Sequence, residues 1–193
     1  GALYFDNFGS NKIELVQGTL SNNTATNSGG GVYMVNSKIT FGTGSNNVSF
    51  ANNSATQGGG LYISSTGTAI RNVTINNSSF IENTASDCGG GIYLDDNGNG
   101  TLNLGAGGTF SNNTAANHGG AIYVDDINTV VLTEGTLSEN EATNGCGGGM
   151  YVGSGNITLS SGSASLNTAY DGGAFYVSDG SLSIDDAYTM SNN

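Results

Sequence analysis

Ser79-Phe80-Ile81-Glu82-Asn83-Thr84-Ala85-Ser86-Asp87-Cys88-Gly89-Gly90-Gly91-Ile92-Tyr93-Leu94 holds two short signatures. One is an apolar residue, two others, then Asn: Phe80 to Asn83. The other is a run of small residues, an apolar residue, then Tyr: Gly89 to Tyr93. Both return through the whole chain at near-constant spacing, and that return decides the fold.

The Tyr positions are Tyr4, Tyr33, Tyr62, Tyr93, Tyr123, Tyr151 and Tyr176, separated by 29, 29, 31, 30, 28 and 25 residues. The Asn positions are Asn23, Asn53, Asn83, Asn113, Asn140, Asn167 and Asn193. Between the two signatures lies an apolar-polar-apolar element, such as Val73/Ile75 or Leu102/Leu104. Each unit therefore carries three short stretches of period two, read as strands a, b and c in chain order. Six or so inward side chains cannot make a core for one unit. Stacking like on like, ~4.8 Å apart, buries them. The spacing predicts an all-β parallel solenoid of about seven rungs, each of three short strands, with residues 1–193 as a single array. The array is expected to be either an excerpt of a longer one or a unit that stacks end to end into a fibre.

The Asn column is expected at a bend, where Asn tolerates the left-handed region and its amide bonds along the axis. The glycines before strand a mark a corner that needs positive φ or close backbone approach. The seven Tyr, alternating with inward residues, should form one outward column. That column either stabilises the sheet by axial stacking or offers a strip to a sugar or a neighbouring rod.

These signatures resemble the GGAIY and FxxN motifs of the polymorphic outer membrane protein repeats, best known from chlamydial autotransporters. The resemblance spans all seven units. It implies a right-handed β-helix in a secreted, extracellular, cell-surface passenger with adhesive roles. The partners it implies are a host or neighbouring cell-surface protein or glycan, or copies of the chain itself.

Composition narrows the alternatives. The 193 residues carry 3 Lys plus Arg against 15 Asp plus Glu, a net charge of -12. Lys12, Lys38 and Arg71 cannot neutralise a run of phosphates, which excludes nucleic acid. No run of 18 apolar residues exists to span a membrane as a helix. With 33 Gly and no Pro, the chain fits neither collagen nor a helical bundle.

Asp95, Asp96, Asp125 and Asp126 follow strand a on successive units. They form either a solvated acidic turn or a candidate calcium site, and no other cofactor is implied. Cys88, His118 and Cys146 precede glycine corners in one column. Free thiols, a bent disulfide and a Cys–His–Cys metal site all stay open, although two rungs separate the cysteines. Asn-x-Ser/Thr sequons, among them Asn22, Asn47, Asn52, Asn72, Asn76, Asn77, Asn112 and Asn156, are about as frequent as chance provides. The leading expectation is a non-enzymatic structural or adhesive rod, part of an adhesin or a surface filament. The alternative is a polysaccharide-binding or polysaccharide-degrading β-helix protein, and a hydroxyl-lined ice-binding face is a third.

Overall fold

The structure, a computed structural model, describes residues 1–6, 12–65, 72–95 and 100–193. Of the positions singled out above, Asp96 and Arg71 lie outside the described residues.

Every strand pairing is parallel, and each strand meets its own equivalent one turn away. The a strands run Leu3–Asp6, Val32–Val35, Leu61–Ser64 and Ile92–Asp95, then continue at the starts of Ile122–Ser138, Met150–Ser165 and Phe175–Ile184. Their register places Tyr33 against Tyr62, Tyr62 against Tyr93 and Tyr93 against Tyr123. The b strands place Val73 against Leu102, and the c strands place Phe80 against Phe110. Seven copies of each strand make about six full turns of a parallel β-solenoid.

Period-two patterning explains the interior. Val32, Met34, Ile39, Phe41 and Phe50 are buried within one turn, and the same places are filled in the next by Leu61, Ile63, Val73, Ile75 and Phe80. Phe50, Phe80 and Phe110 stack face to face inside, with centroids 4.4 and 5.0 Å apart.

A fourth short strand closes each turn, beyond the three that the alternation predicts. It runs Ser54–Ala55, Thr84–Ala85, Thr114–Ala115, Glu141–Cys146 and Thr168–Asp171, and these five form a second sheet. In its first three copies it has two residues, too few to show a period. Its inward member is the Ala column, with Ala85, Ala115 and Ala142 buried.

The glycine corner needs both properties expected of it. Gly89 has φ 69°, in the left-handed region. Gly90 has no room for a side chain, because a Cβ there would lie 2.3 Å from the Gly120 carbonyl oxygen of the next turn.

Candidate functional site

Three side-chain columns run the length of the rod, and the sequence anticipates all three. The Asn column lies inside: Asn53, Asn83, Asn113, Asn140 and Asn167 are at most 1% exposed. In each turn the Asn backbone N–H and side-chain Nδ2 both donate to Oδ1 of the next Asn. For Asn53 and Asn83 these distances are both 3.0 Å. The second Nδ2 proton goes back one turn to a c-strand carbonyl, as Asn83 does to Phe50 at 3.0 Å. Both amide protons and the amide oxygen of Asn83 are thus engaged.

The left-handed residue is not this Asn, which corrects one expectation. It is the residue before it: Asn22, Asn52, Glu82, Asn112, Glu139, Leu166 and Asn192 have φ between 55 and 57°. The ladder Asn needs ordinary backbone so that its side chain can turn inward, and the bend is made one residue earlier.

The Tyr column is outward, and its seven rings form one continuous stack. Centroids are 4.8 to 5.3 Å apart, with neighbouring ring planes within 21° of each other. Each ring covers its neighbour's face, so inner members such as Tyr93, 9% exposed, present edges and hydroxyls. The hydroxyls turn along the strand: Tyr123 donates to Asp125 Oδ1 at 3.3 Å. Burial first, then the Asp125 carboxylate, holds the Tyr93 and Tyr123 phenols above their ordinary range.

Asp125 receives the Tyr123 hydroxyl, whereas Asp126 Oδ1 accepts from Ser154 Oγ at 2.6 Å. Asp95 ends its strand half-buried, its carbonyl accepting from the Ser65 N–H. Among the described residues, no three His, Cys, Asp or Glu side chains gather in a metal-holding group.

Ser28, Gln57, Cys88, His118, Cys146 and Asp171 stack below the glycine corners as expected. Both thiols are free. His118 Nδ1 accepts from the Cys146 backbone N–H at 3.1 Å. Burial pushes the Cys88 thiol up to about 12. Beside it, Asp87 accepts from Asn117 Nδ2 at 2.8 Å, and that bond above all holds its carboxyl below the ordinary value.

One surface breaks the repeat, and nothing in the signatures marks it. Outward positions on the corner and the fourth strand are small and polar in the early turns: Asn22/Thr24/Thr26, then Asn52/Ser54/Thr56. In the last two such turns they become Glu139/Glu141/Thr143 and Leu166/Thr168/Tyr170. Leu166 is 50% exposed and Tyr170 82% exposed. Register slips between Ala142 and Cys146, so the stretch 143–145 bulges opposite Tyr170. A hollow of about 330 Å³ lies between, lined by Glu141, Thr143, Thr168 and Tyr170 among others. The readable signal was the loss of small side chains at positions 141, 166 and 170, the corner having already changed once, at Glu82.

The fold and its ladders define the class: a parallel β-solenoid built from stacked, near-identical turns. Four of those turns are repeats of a known kind. Residues 17–34, 47–64, 77–95 and 107–125 match the family model of the Chlamydia polymorphic membrane protein repeat. Each match runs from just before a c strand, through the ladder Asn and the glycine corner, to the end of the next a strand. No curated protein and no solved structure shows a significant match to the chain.

Proposed function

We propose that the chain is an extracellular, cell-surface rod with a structural or adhesive role and no catalytic activity. The observation that carries this reading is the unbroken ladder. Seven Asn and seven Tyr stack without interruption through turns of which four match the membrane-protein repeat. Such regularity favours stiffness, since every turn is held to the next by backbone and side-chain hydrogen bonds alike.

Hydrolytic or lyase chemistry calls for a local departure from the repeat that brings an acid, a base and a binding cleft together. The Tyr column would meet a partner through ring edges and hydroxyls, which suits hydrogen bonding to a surface protein or glycan, or to a second rod. Calcium remains a candidate ligand of Asp125 and its neighbours.

Beads coated with the chain should adhere to cultured animal cells, and soluble chain should compete. Failure of coated beads to exceed albumin-coated ones would count against adhesion. Release of reducing ends from polysaccharides would count against a non-enzymatic rod.

A further inference from the structure

The turn that carries Asn140 holds one residue too many. From ladder Asn to corner glycine the interval is six residues for Asn23–Gly29, Asn83–Gly89 and Asn113–Gly119, and five for Asn53–Gly58 and Asn167–Gly172. From Asn140 to Gly147 it is seven. The surplus is taken up in the stretch 143–145, where register with the next turn slips between Ala142 and Cys146. Before the slip, the Asn144 N–H reaches the Ala116 carbonyl at 2.9 Å, and past it the Gly147 N–H reaches the Asp171 carbonyl at 3.0 Å. Between them the Cys146 N–H meets a side chain, donating to His118 Nδ1 at 3.1 Å. At the equivalent place in an earlier turn, the Gln57 N–H donates to a backbone carbonyl, that of Asn27, at 3.1 Å.

The acceptor that fills this gap is the single His of the chain. The bulge is moulded over it: a Cβ on buried Gly145 would lie 2.8 Å from His118 Nδ1. Accepting at Nδ1 fixes the neutral tautomer, with its proton on Nε2. A protonated imidazole donates from both nitrogens and has no lone pair to offer, so it would set N–H against N–H. Imidazole is the side chain whose ordinary titration falls between about pH 5 and 8. The ring is half-buried, which leaves it open to solvent protons. Around it stand Asp87 and Cys88 on the turn before, and Tyr123 and Asp125 on its own turn. Glu141, Cys146 and Tyr151 follow on the turn after, and Asp171 one turn further. The His118 and Tyr151 ring centroids are 4.8 Å apart. Asp87 lies within electrostatic reach of His118, so a charged ring has an anion to turn toward when it leaves Cys146.

We propose that His118 is a pH-operated latch on the 143–145 bulge. Neutral, the ring holds the bulge against the rod through the Cys146 N–H. Protonated, it gives up that bond and the bulge is released. The release stays local, because the bonds on either side do not use the imidazole. Asn140 Nδ2 donates to Asn167 Oδ1 at 2.8 Å before the bulge, and the Gly119 N–H holds the Cys146 carbonyl at 3.0 Å after it. One stretch of the surface, with the exposed Thr143 and Asn144, therefore loosens in acidic surroundings while the ladder stays wound.

The latch stands apart from the surface-rod reading, since it is read on the isolated chain without cells. Isotope-labelled protein is followed by NMR hydrogen exchange, each amide rate being divided by the intrinsic rate at that pH. Protection of the Cys146 N–H should fall about tenfold between about pH 7.5 and 5.5, on the same midpoint as the His118 ring C–H signals. The Gln57 and Asn83 amides should keep their protection over that range. His118→Gln retains an acceptor that does not titrate, so its Cys146 protection should be flat with pH. His118→Phe keeps a ring without an acceptor and should show the lowered protection already at neutral pH. The proposal is overturned if Cys146 protection holds constant while the ring titrates, or if His118→Gln shows the same fall as the parent. It is overturned equally by parent-like protection in His118→Phe, or by a fall shared by every turn, which is acid unfolding. Should His118→Phe not fold, the parent and His118→Gln decide the matter between them.

Discussion

Asn83 sits wholly inside the solenoid and joins three turns at once. Its Nδ2 donates forward to Asn113 Oδ1 and back to the Phe50 carbonyl, both at 3.0 Å. Its own Oδ1 receives two donors from Asn53. Replacing it with Ala strands the backbone N–H and the Nδ2 of Asn53, both buried, and leaves the Phe50 carbonyl without this donor. At roughly 1–3 kcal/mol per buried unsatisfied group, Asn83→Ala should cost about 3–5 kcal/mol. Urea unfolding measures this, and a loss below about 1 kcal/mol would show that the ladder is ornamental.

The corner before the ladder should respond in the opposite sense. Glu82 holds φ 56° with an exposed side chain. Asn reaches that region more easily, so Glu82→Asn should stabilise the chain by about 1 kcal/mol. Asn52→Ala, at the equivalent place, should destabilise by a similar amount. Thermal midpoints of the two variants moving in the same direction would contradict this account.

Gly90 and Gly108 test the close approach of turns. A Cβ at Gly90 would lie 2.3 Å from one carbonyl oxygen and 2.6 Å from another, on Gly120 and Thr114. At Gly108 the nearest atom is Phe110 Cε2 at 3.6 Å, an ordinary contact. Gly90→Ala should therefore cost more than about 3 kcal/mol or prevent folding, whereas Gly108→Ala should stay within about 1 kcal/mol of the parent. Circular dichroism and denaturant midpoints decide it, and comparable losses at both sites would be the contrary result.

Alkaline pH should weaken the fold from about pH 9 upward. The Cys88 thiol ordinarily titrates near 9.0 and is pushed up to about 12 by burial. Below pH 9 the thiol is neutral both folded and unfolded. Between 9 and 12 only the unfolded chain releases the proton, so stability falls as pH rises. Tyr188, buried with an unpartnered hydroxyl and raised from 10.0, adds to the fall above pH 10. Cys88→Ala should flatten the onset near pH 9 in a plot of thermal midpoint against pH. Native chain should also react with a thiol reagent at Cys146 before Cys88; the reverse order would refute the burial assignment.

The a, b and c strands and their register were legible because inward and outward residues alternate and the same alternation recurs about every 30 residues. Phe50, Phe80 and Phe110 stack where that recurrence puts them. The left-handed position was misplaced by one residue for a definite reason. Asn22-Asn23, Asn52-Asn53 and Asn112-Asn113 put the same residue type at both places, so composition does not say which one bends. The backbone of Glu82-Asn83, Glu139-Asn140 and Leu166-Asn167 separates the roles. Axial stacking of the Tyr column was one of two readings the sequence left open, since alternation tells which way a side chain leaves the sheet and not how its ring turns. The Leu166/Tyr170 strip escaped because a search for what repeats passes over what does not.

The forward-donating Asn amides give the rod a mechanical character. Successive turns, 26 to 30 residues of chain each, are clasped by equivalent bonds. Tension applied between the two ends would peel away a terminal turn while the remaining turns stay wound. Each such release would pay out roughly 90–100 Å of slack at about 3.3 Å per residue. Under load the molecule would act as a series of near-equal fuses, yielding by increments while its inner length keeps its shape.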